Sequence, residues 1–236
     1  MKVIKVLQEW PLSKVELVEV KGKKYILKTI HKDFAKEPLK QELLRKKCKD
    51  IKIPKVFWVK KGKRYIFLMD YIEENKKISK KEANNVIRMF HDETKKVNDK
   101  LFSIYDFEAF YNEYSRAKKN LIGFKKNKES LNNFFREIFE SEKSIVHSDF
   151  DIKNVILSGK DYYLIDFCRS FYGPSILDFS IIYKPKNKLE IKAKLARLIR
   201  DIAWFELCKE KYINYDYKKE IAKKREEFFA LLEKIK

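Results

Sequence analysis

The stretch "HSDFDIKNVIL", His147 to Leu157, decides how this chain is read. A His, an Asp two residues on and a Lys-Asn pair come before an apolar run of strand character. Strands entering a core seldom open on so many polar groups, because each one must be paired or hydrated. A second strand-like run, "YYLIDF" (Tyr162 to Phe167), follows the turn "SGKD" (Ser158 to Asp161). A hairpin brings its two ends together. Asp149 before the first strand, Asn154 at its start and Asp166 at the end of the second can therefore share one small volume. Carboxylate and amide oxygens are hard ligands that suit Mg²⁺, an ion that keeps further positions for substrate phosphates.

Asp-x₄-Asn followed by an Asp after a second strand is the arrangement that kinases use. The longer segment "HSDFDIKNVILSGKDYYLIDFCRSFYGPSILDFS" (147 to 180) resembles the catalytic core of the aminoglycoside phosphotransferase and choline kinase family. That family's pattern is His-x-Asp-x₄-Asn, an apolar strand, Ile-Asp and a further Asp. Here these are His147, Asp149, Asn154, Asp166 and Asp178. "MFHDE" (Met89 to Glu93) is similar to the family's Leu-His at the end of its first large-lobe helix.

The resemblance implies an α+β, two-lobed, protein-kinase-like fold. A small antiparallel sheet with one helix would form an N-lobe over residues 1–70, and a mainly helical C-lobe would span 71–236. The resemblance makes Asp149 the catalytic base and Asn154 and Asp166 the Mg²⁺ ligands. His147 would brace the loop, and Asp178 would anchor it from a helix start. Lys153 stands where tyrosine kinases carry an Arg. It would touch the transferred phosphoryl group, where positive charge stabilises the transition state; a solvent-facing lysine is the plain alternative.

A kinase also needs a lysine on its third strand, paired with a helix glutamate, to hold the α/β-phosphates. "YILK" places Lys28 on such a strand, at the inward parity shared with Ile26. Glu42 in the following helix is its expected partner, with Glu37 as rival. Backbone groups of Met69, Asp70, Tyr71 and Ile72 would hold adenine. The loop "EWPLSK" contains no glycine, so Ser13 is expected to offer its hydroxyl and N–H to phosphate instead. "YIEENKK" also lacks the family's glycine after the hinge.

The periodicity supports this layout. "KVELVEV" (Lys14 to Val20) alternates, and "KGKK" (Lys21 to Lys24) reads as a hairpin turn before "YILKTI". A helix is expected over about 38–49 with Leu39, Leu43 and Leu44 on one face. "IPKVFWV" and "RYIFLMDYI" form a second strand pair. Ser79 with Glu82 reads as a capping box for a helix to about Val97. Stripes at Phe107, Phe110, Tyr111, Tyr114, Ala117 and Leu121, and at Leu131, Phe134, Phe135, Ile138 and Phe139, read as helix faces in a core. Helices are expected near 175–183, 188–209 and 218–235.

The chain has 236 residues, 44% of them hydrophobic, which marks a folded protein with real cores. No apolar run reaches a membrane span, and the first residues lack a secretory core, so a cytoplasmic protein is expected. Cys48, Cys168 and Cys208 are odd in number and scattered, which argues against disulfides and zinc. The formal net charge is +20, a field that attracts phosphates and other anions. Over residues 184–236, 16 basic residues face 9 acidic ones, which disfavours a polycationic aminoglycoside as acceptor.

The expected activity is transfer of the γ-phosphate of ATP, or of GTP, to a hydroxyl of a small molecule, with an anionic acceptor fitting the charge better than an aminoglycoside. A small atypical protein serine/threonine kinase is one alternative, although no Ala-Pro-Glu is visible to hold a peptide. A non-catalytic pseudokinase or basic nucleic-acid-binding scaffold is the other. The sequence does not indicate an oligomeric state.

Overall fold

The computed structural model describes residues 1–182, 184–212 and 217–235. In chain order the strands and helices begin with β1 (Lys2–Trp10), β2 (Ser13–Val20), β3 (Lys23–His31), α1 (Glu37–Lys47), β4 (Val56–Lys60) and β5 (Arg64–Asp70). Then come α2 (Lys80–Thr94), α3 (Phe107–Ala117), α4 (Lys128–Glu140), β6 (Lys143–Val146), β7 (Val155–Ser158) and β8 (Asp161–Leu164). The chain closes with β9 (Phe171–Pro174), α5 (Ile176–Ile182), α6 (Lys188–Lys211) and α7 (Lys218–Leu232). It divides into two compact units: Met1–Phe102 with His147–Ser170, and Ser103–Val146 with Phe171–Lys236.

The first unit is built on a five-stranded antiparallel sheet of order β1-β2-β3-β5-β4. The β2–β3 turn has two residues, and both Lys21 (φ 50°) and Gly22 (φ 77°) are left-handed. That is the primed turn whose twist matches the strands it joins. Val18, Leu27 and Leu68 pack together on one face of the sheet. Ile26, Lys28 and Ile30 of β3 share the other. The β7–β8 hairpin pairs Val155 with Leu164 and belongs to the same unit. Isolated bridges join it to the main chain at Lys52 and Lys76.

Helix α1 corrects one expectation. Its buried residues are Glu37, Pro38, Lys40, Gln41 and Leu44, while Leu39 is exposed. The reason is hydrogen bonding. Gln41 Nε2 donates to Pro54 O at 2.7 Å, Lys40 Nζ donates to Ser170 O at 2.6 Å, and Glu37 accepts from Lys28. Buried polar groups that are satisfied in this way can outcompete a leucine for the inner face. Helix α2 starts as expected: Ser79 N–H donates to Glu82 Oε2 and Glu82 N–H donates to Ser79 Oγ.

The second unit buries the aromatic stripes. Phe110, Tyr114, Leu131, Phe135 and Ile138 are almost wholly covered, and the Phe110 and Phe135 rings meet edge to face at 4.9 Å. The short pair β6–β9 has no counterpart in the sequence reading. Four-residue strands carry too little periodicity to stand out. A Cβ on Gly173 of β9 would lie 2.9 Å from Tyr105 O, so the strand's approach to that carbonyl requires glycine. Among the described residues, no helix is long and apolar enough to cross a membrane.

Candidate active site

The polar loop lies in the first unit and is tied to the end of the hairpin. His147 is fully buried. Its Nε2 lies 2.7 Å from Ile165 O, and its ring packs 5.1 Å from that of Phe167. Asn154 Nδ2 donates to Asp149 O at 2.8 Å, and Ile165 N–H donates to Asn154 O at 3.0 Å. These bonds bring Asp149, Asn154 and Asp166 to one end of the hairpin. Ser148 (φ 73°) and Asp166 (φ 70°) are both left-handed. For a residue with a Cβ, that conformation costs roughly 1–2 kcal/mol and is held only by surrounding structure. Asp149 and Asp166 are half-buried, Asn154 is buried, and Lys153 is exposed.

Lys28 reaches this loop from β3. It is buried, at the inward parity that the alternation predicts. Its Nζ lies 2.6 Å from Glu37 Oε1 and 2.9 Å from Asp166 Oδ1. The partner is therefore Glu37, the rival, and the pairing with Glu42 is corrected. Glu42 instead accepts from Val56 N–H at 2.7 Å and from Arg45 Nε at 3.1 Å. The two glutamates are five positions apart, which turns them about 140° from each other on a helix of 3.6 residues per turn. Only one can face Lys28.

The charges respond to this arrangement. Burial alone would lower the pKa of Lys28, but the carboxylates of Asp166 and Glu37 outweigh it and hold the ammonium protonated well above its usual range. Burial pushes Asp166 up, yet Lys28, by charge and hydrogen bond, brings it down to about 2. Burial raises Glu37 to about 7, with Lys28 opposing and Asp166 adding to the rise. One ammonium cannot fully compensate two carboxylates, so the more deeply buried one carries the higher pKa.

Cys168, which the sequence reading set aside, lies beside this cluster. Its Sγ and one oxygen each of Glu37 and Asp166 lie within 4.8 Å of one another. Burial, followed by the charge of Asp166, pushes its thiol well above the ordinary range. The sequence signal was its place two residues after Asp166.

The structure also places Ser13 and the expected hinge. The β1–β2 connection is the tight turn Pro11–Leu12, and Leu12 is fully buried. Ser13 is 7% exposed and its hydroxyl accepts from Trp10 Nε1. The indole takes an oxygen lone pair and leaves the hydroxyl proton to donate, so it is burial that limits the reach of Ser13 toward a phosphate. In the hinge, Met69 pairs with both Ile26 and Val56, and Asp70 N–H donates to Lys55 O. Tyr71 and Ile72 lie past the last ladder pair. Asp178 is fully buried in α5 of the second unit.

No family model and no curated protein matches the chain. Solved structures do. A thermostable mutant of the aminoglycoside phosphotransferase APH(4)-Ia superposes with TM-score 0.67 at 11% identity, over 98% of this chain and 94% of that one. The choline kinase LicA from Streptococcus pneumoniae does so with TM-score 0.67 at 16% identity and the same coverage. The fold is that of the aminoglycoside phosphotransferases and choline kinases. A fructosamine-3-kinase-like structure from Haemophilus somnus 129PT shares the kinase-like fold, with TM-score 0.63 at 12% identity over 97% of this chain and 90% of that one. The two-lobed α+β class expected from the motif is thus borne out at the level of the fold. One APH(4)-Ia structure of this kind holds AMP-PNP and hygromycin B.

Proposed function

We propose that this chain is a phosphotransferase that moves the γ-phosphate of ATP to a hydroxyl group of a small molecule. The observation that carries the reading is the Lys28 ammonium, buried between Glu37 and Asp166. A strand lysine paired with a helix glutamate, beside the aspartate that would take Mg²⁺, is the set of parts by which kinases hold the phosphates. The nucleotide would be held by the lobe of residues 1–70, with Tyr71 and Ile72 closing on adenine. Residues 71–236 would carry the catalytic loop and the acceptor surface.

Asp149 would take the proton of the attacking hydroxyl as it bonds to the γ-phosphorus, while the bond from that phosphorus to the bridging oxygen breaks and ADP leaves. Lys28 would orient the α/β-phosphates, and Glu37 would keep Lys28 aimed at them. Lys153, exposed four residues after Asp149, would meet the transferred group. The donor set of Asn154 and Asp166 is all oxygen and fits Mg²⁺, which would neutralise phosphate charge. Transfer would be direct, without a phosphoenzyme.

Neighbours of this fold include an amicoumacin kinase in complex with AMP-PNP, Ca²⁺ and Ami, which supports a small hydroxyl acceptor. The charge argument for an anionic acceptor loses some force. Lys192, Lys194, Arg197 and Lys224 are engaged by Glu137, Glu227 and Asp201 within the second unit. An anionic acceptor is retained on net charge alone.

The test is thermal stabilisation by Mg·ATP and by Mg·GTP, followed by acceptor-dependent release of the nucleoside diphosphate with a panel of hydroxyl compounds. Stabilisation should need Mg²⁺ and vanish in Asp166→Ala. Asp149→Ala should keep the stabilisation and lose turnover by roughly 10²–10⁴-fold, the range of a missing general base. A fully active Asp149→Ala would remove the assignment, and no stabilisation by either nucleotide would favour a pseudokinase.

A further inference from the structure

The β4–β5 hairpin is unusual in both charge and exposure. Between Ile51 and Met69 there is no acidic residue, and Lys55, Lys60, Lys61, Lys63 and Arg64 are all exposed. Alternation on a half-buried strand hides every second side chain. On β4, three consecutive apolar side chains reach solvent instead: Phe57 is 43% exposed, Trp58 41% and Val59 37%. β4 is an edge strand, paired only with β5, and a register shift between Val56 and Trp58 breaks its alternation. An isolated surface apolar residue needs no explanation, but a Phe-Trp-Val run inside a belt of cations does.

We propose that this hairpin docks the protein on the surface of an anionic lipid bilayer. Trp and Phe settle at the headgroup level, where one side of the ring is apolar and the other wet. Phe57 and Trp58 lie on the sheet face of Tyr25 and Leu68, whereas Val59 pairs with Phe67 on the opposite face and takes no part in insertion. The five cations would be drawn to an anionic leaflet, and their lysine stems can lie along apolar surface while the heads stay wet.

The opposite edge of the sheet makes a contrast. β1 exposes Val3, Ile4, Val6 and Leu7 as well. Residues 1–20, however, hold three lysines and three glutamates, which leaves no net charge to attract a leaflet. Single-stranded RNA is the other polyanion that exposed aromatics could take, by stacking bases on their faces. Here Lys55 Nζ lies 5.3 Å from the Phe57 ring centre, and Tyr25 meets that ring edge-on. The surface is built for insertion more than for stacking. The proposal does not depend on the kinase reading.

The experiment is flotation of the full chain with vesicles of phosphatidylcholine alone or containing about 30% phosphatidylglycerol, over a salt series. Binding should need the anionic lipid and fall with salt. Tryptophan emission should shift to the blue on binding, and Trp58→Phe should remove the shift. Each lost cation weakens binding about fivefold, so Lys60→Glu with Lys61→Glu and Lys63→Glu should cost about a hundredfold or more. Phe57→Ser with Trp58→Ser should weaken it about tenfold. Melting curves check that every variant is folded. No binding to anionic vesicles would overturn the proposal, as would binding that both sets of variants leave unchanged. Binding of oligouridylate but not vesicles, lost in the same variants, would assign the surface to RNA instead.

Discussion

Glu37 and Glu42 make opposite predictions from adjacent turns of α1, and the structure ranks them. Above about pH 7, where Glu37 is ionised, Glu37→Gln keeps an amide oxygen near Lys28 Nζ but removes the charge that lies 2.6 Å from it. A hydrogen bond to a charged partner contributes about 1.5–3 kcal/mol and a neutral one about 0.5–1.5, so the change is roughly 1–1.5 kcal/mol. Lys28 then leans wholly on Asp166, and its aim at the phosphates loosens. The dissociation constant for Mg·ATP, read by calorimetry, should rise about tenfold. Stability should hold or improve above neutral pH, because the replaced carboxylate is one that burial holds near 7. Glu42→Gln touches only the Val56 N–H and Arg45, and should leave nucleotide affinity within twofold, a change of about 0.4 kcal/mol. A larger affinity loss in Glu42→Gln than in Glu37→Gln would refute the pairing and the reasoning built on it.

Two other outcomes follow from the packing. Burial, reinforced by Glu93, pushes the Cys48 thiol up to about 12. The unfolded chain releases this proton near 9 while the native state keeps it, so its contribution to stability is present below about 9 and lost as pH rises toward 12. Cys48→Ala should therefore lose stability more gently than the parent between those limits in urea titrations, by up to about 1.4 kcal/mol per pH unit, and parallel curves would contradict this. Ser79→Ala removes the N-cap hydroxyl of α2 and should cost about 1 kcal/mol of unfolding free energy, with Ser79→Asp recovering most of it.

Local signals carried far in this chain, and the reason is that they act over a few residues. The Lys21–Gly22 turn, the Ser79–Glu82 box and the stripes of α3 and α4 were all legible from spacing. The inward parity of Lys28 came from alternation alone, and the folding together of Asp149, Asn154 and Asp166 from the hairpin between them. Tertiary structure decided the rest. It chose Glu37 over Glu42, since the rotation of a helix about its axis depends on what packs against it. It turned Leu39 to solvent in favour of hydrogen-bonded Gln41 and Lys40, and buried Ser13 beside the Trp10 indole. It also paired β6 with β9, two four-residue segments 28 positions apart. Periodicity tells which residues share a face. Which partner meets that face depends on the whole chain, because burial and hydrogen bonding are satisfied across elements and not within them.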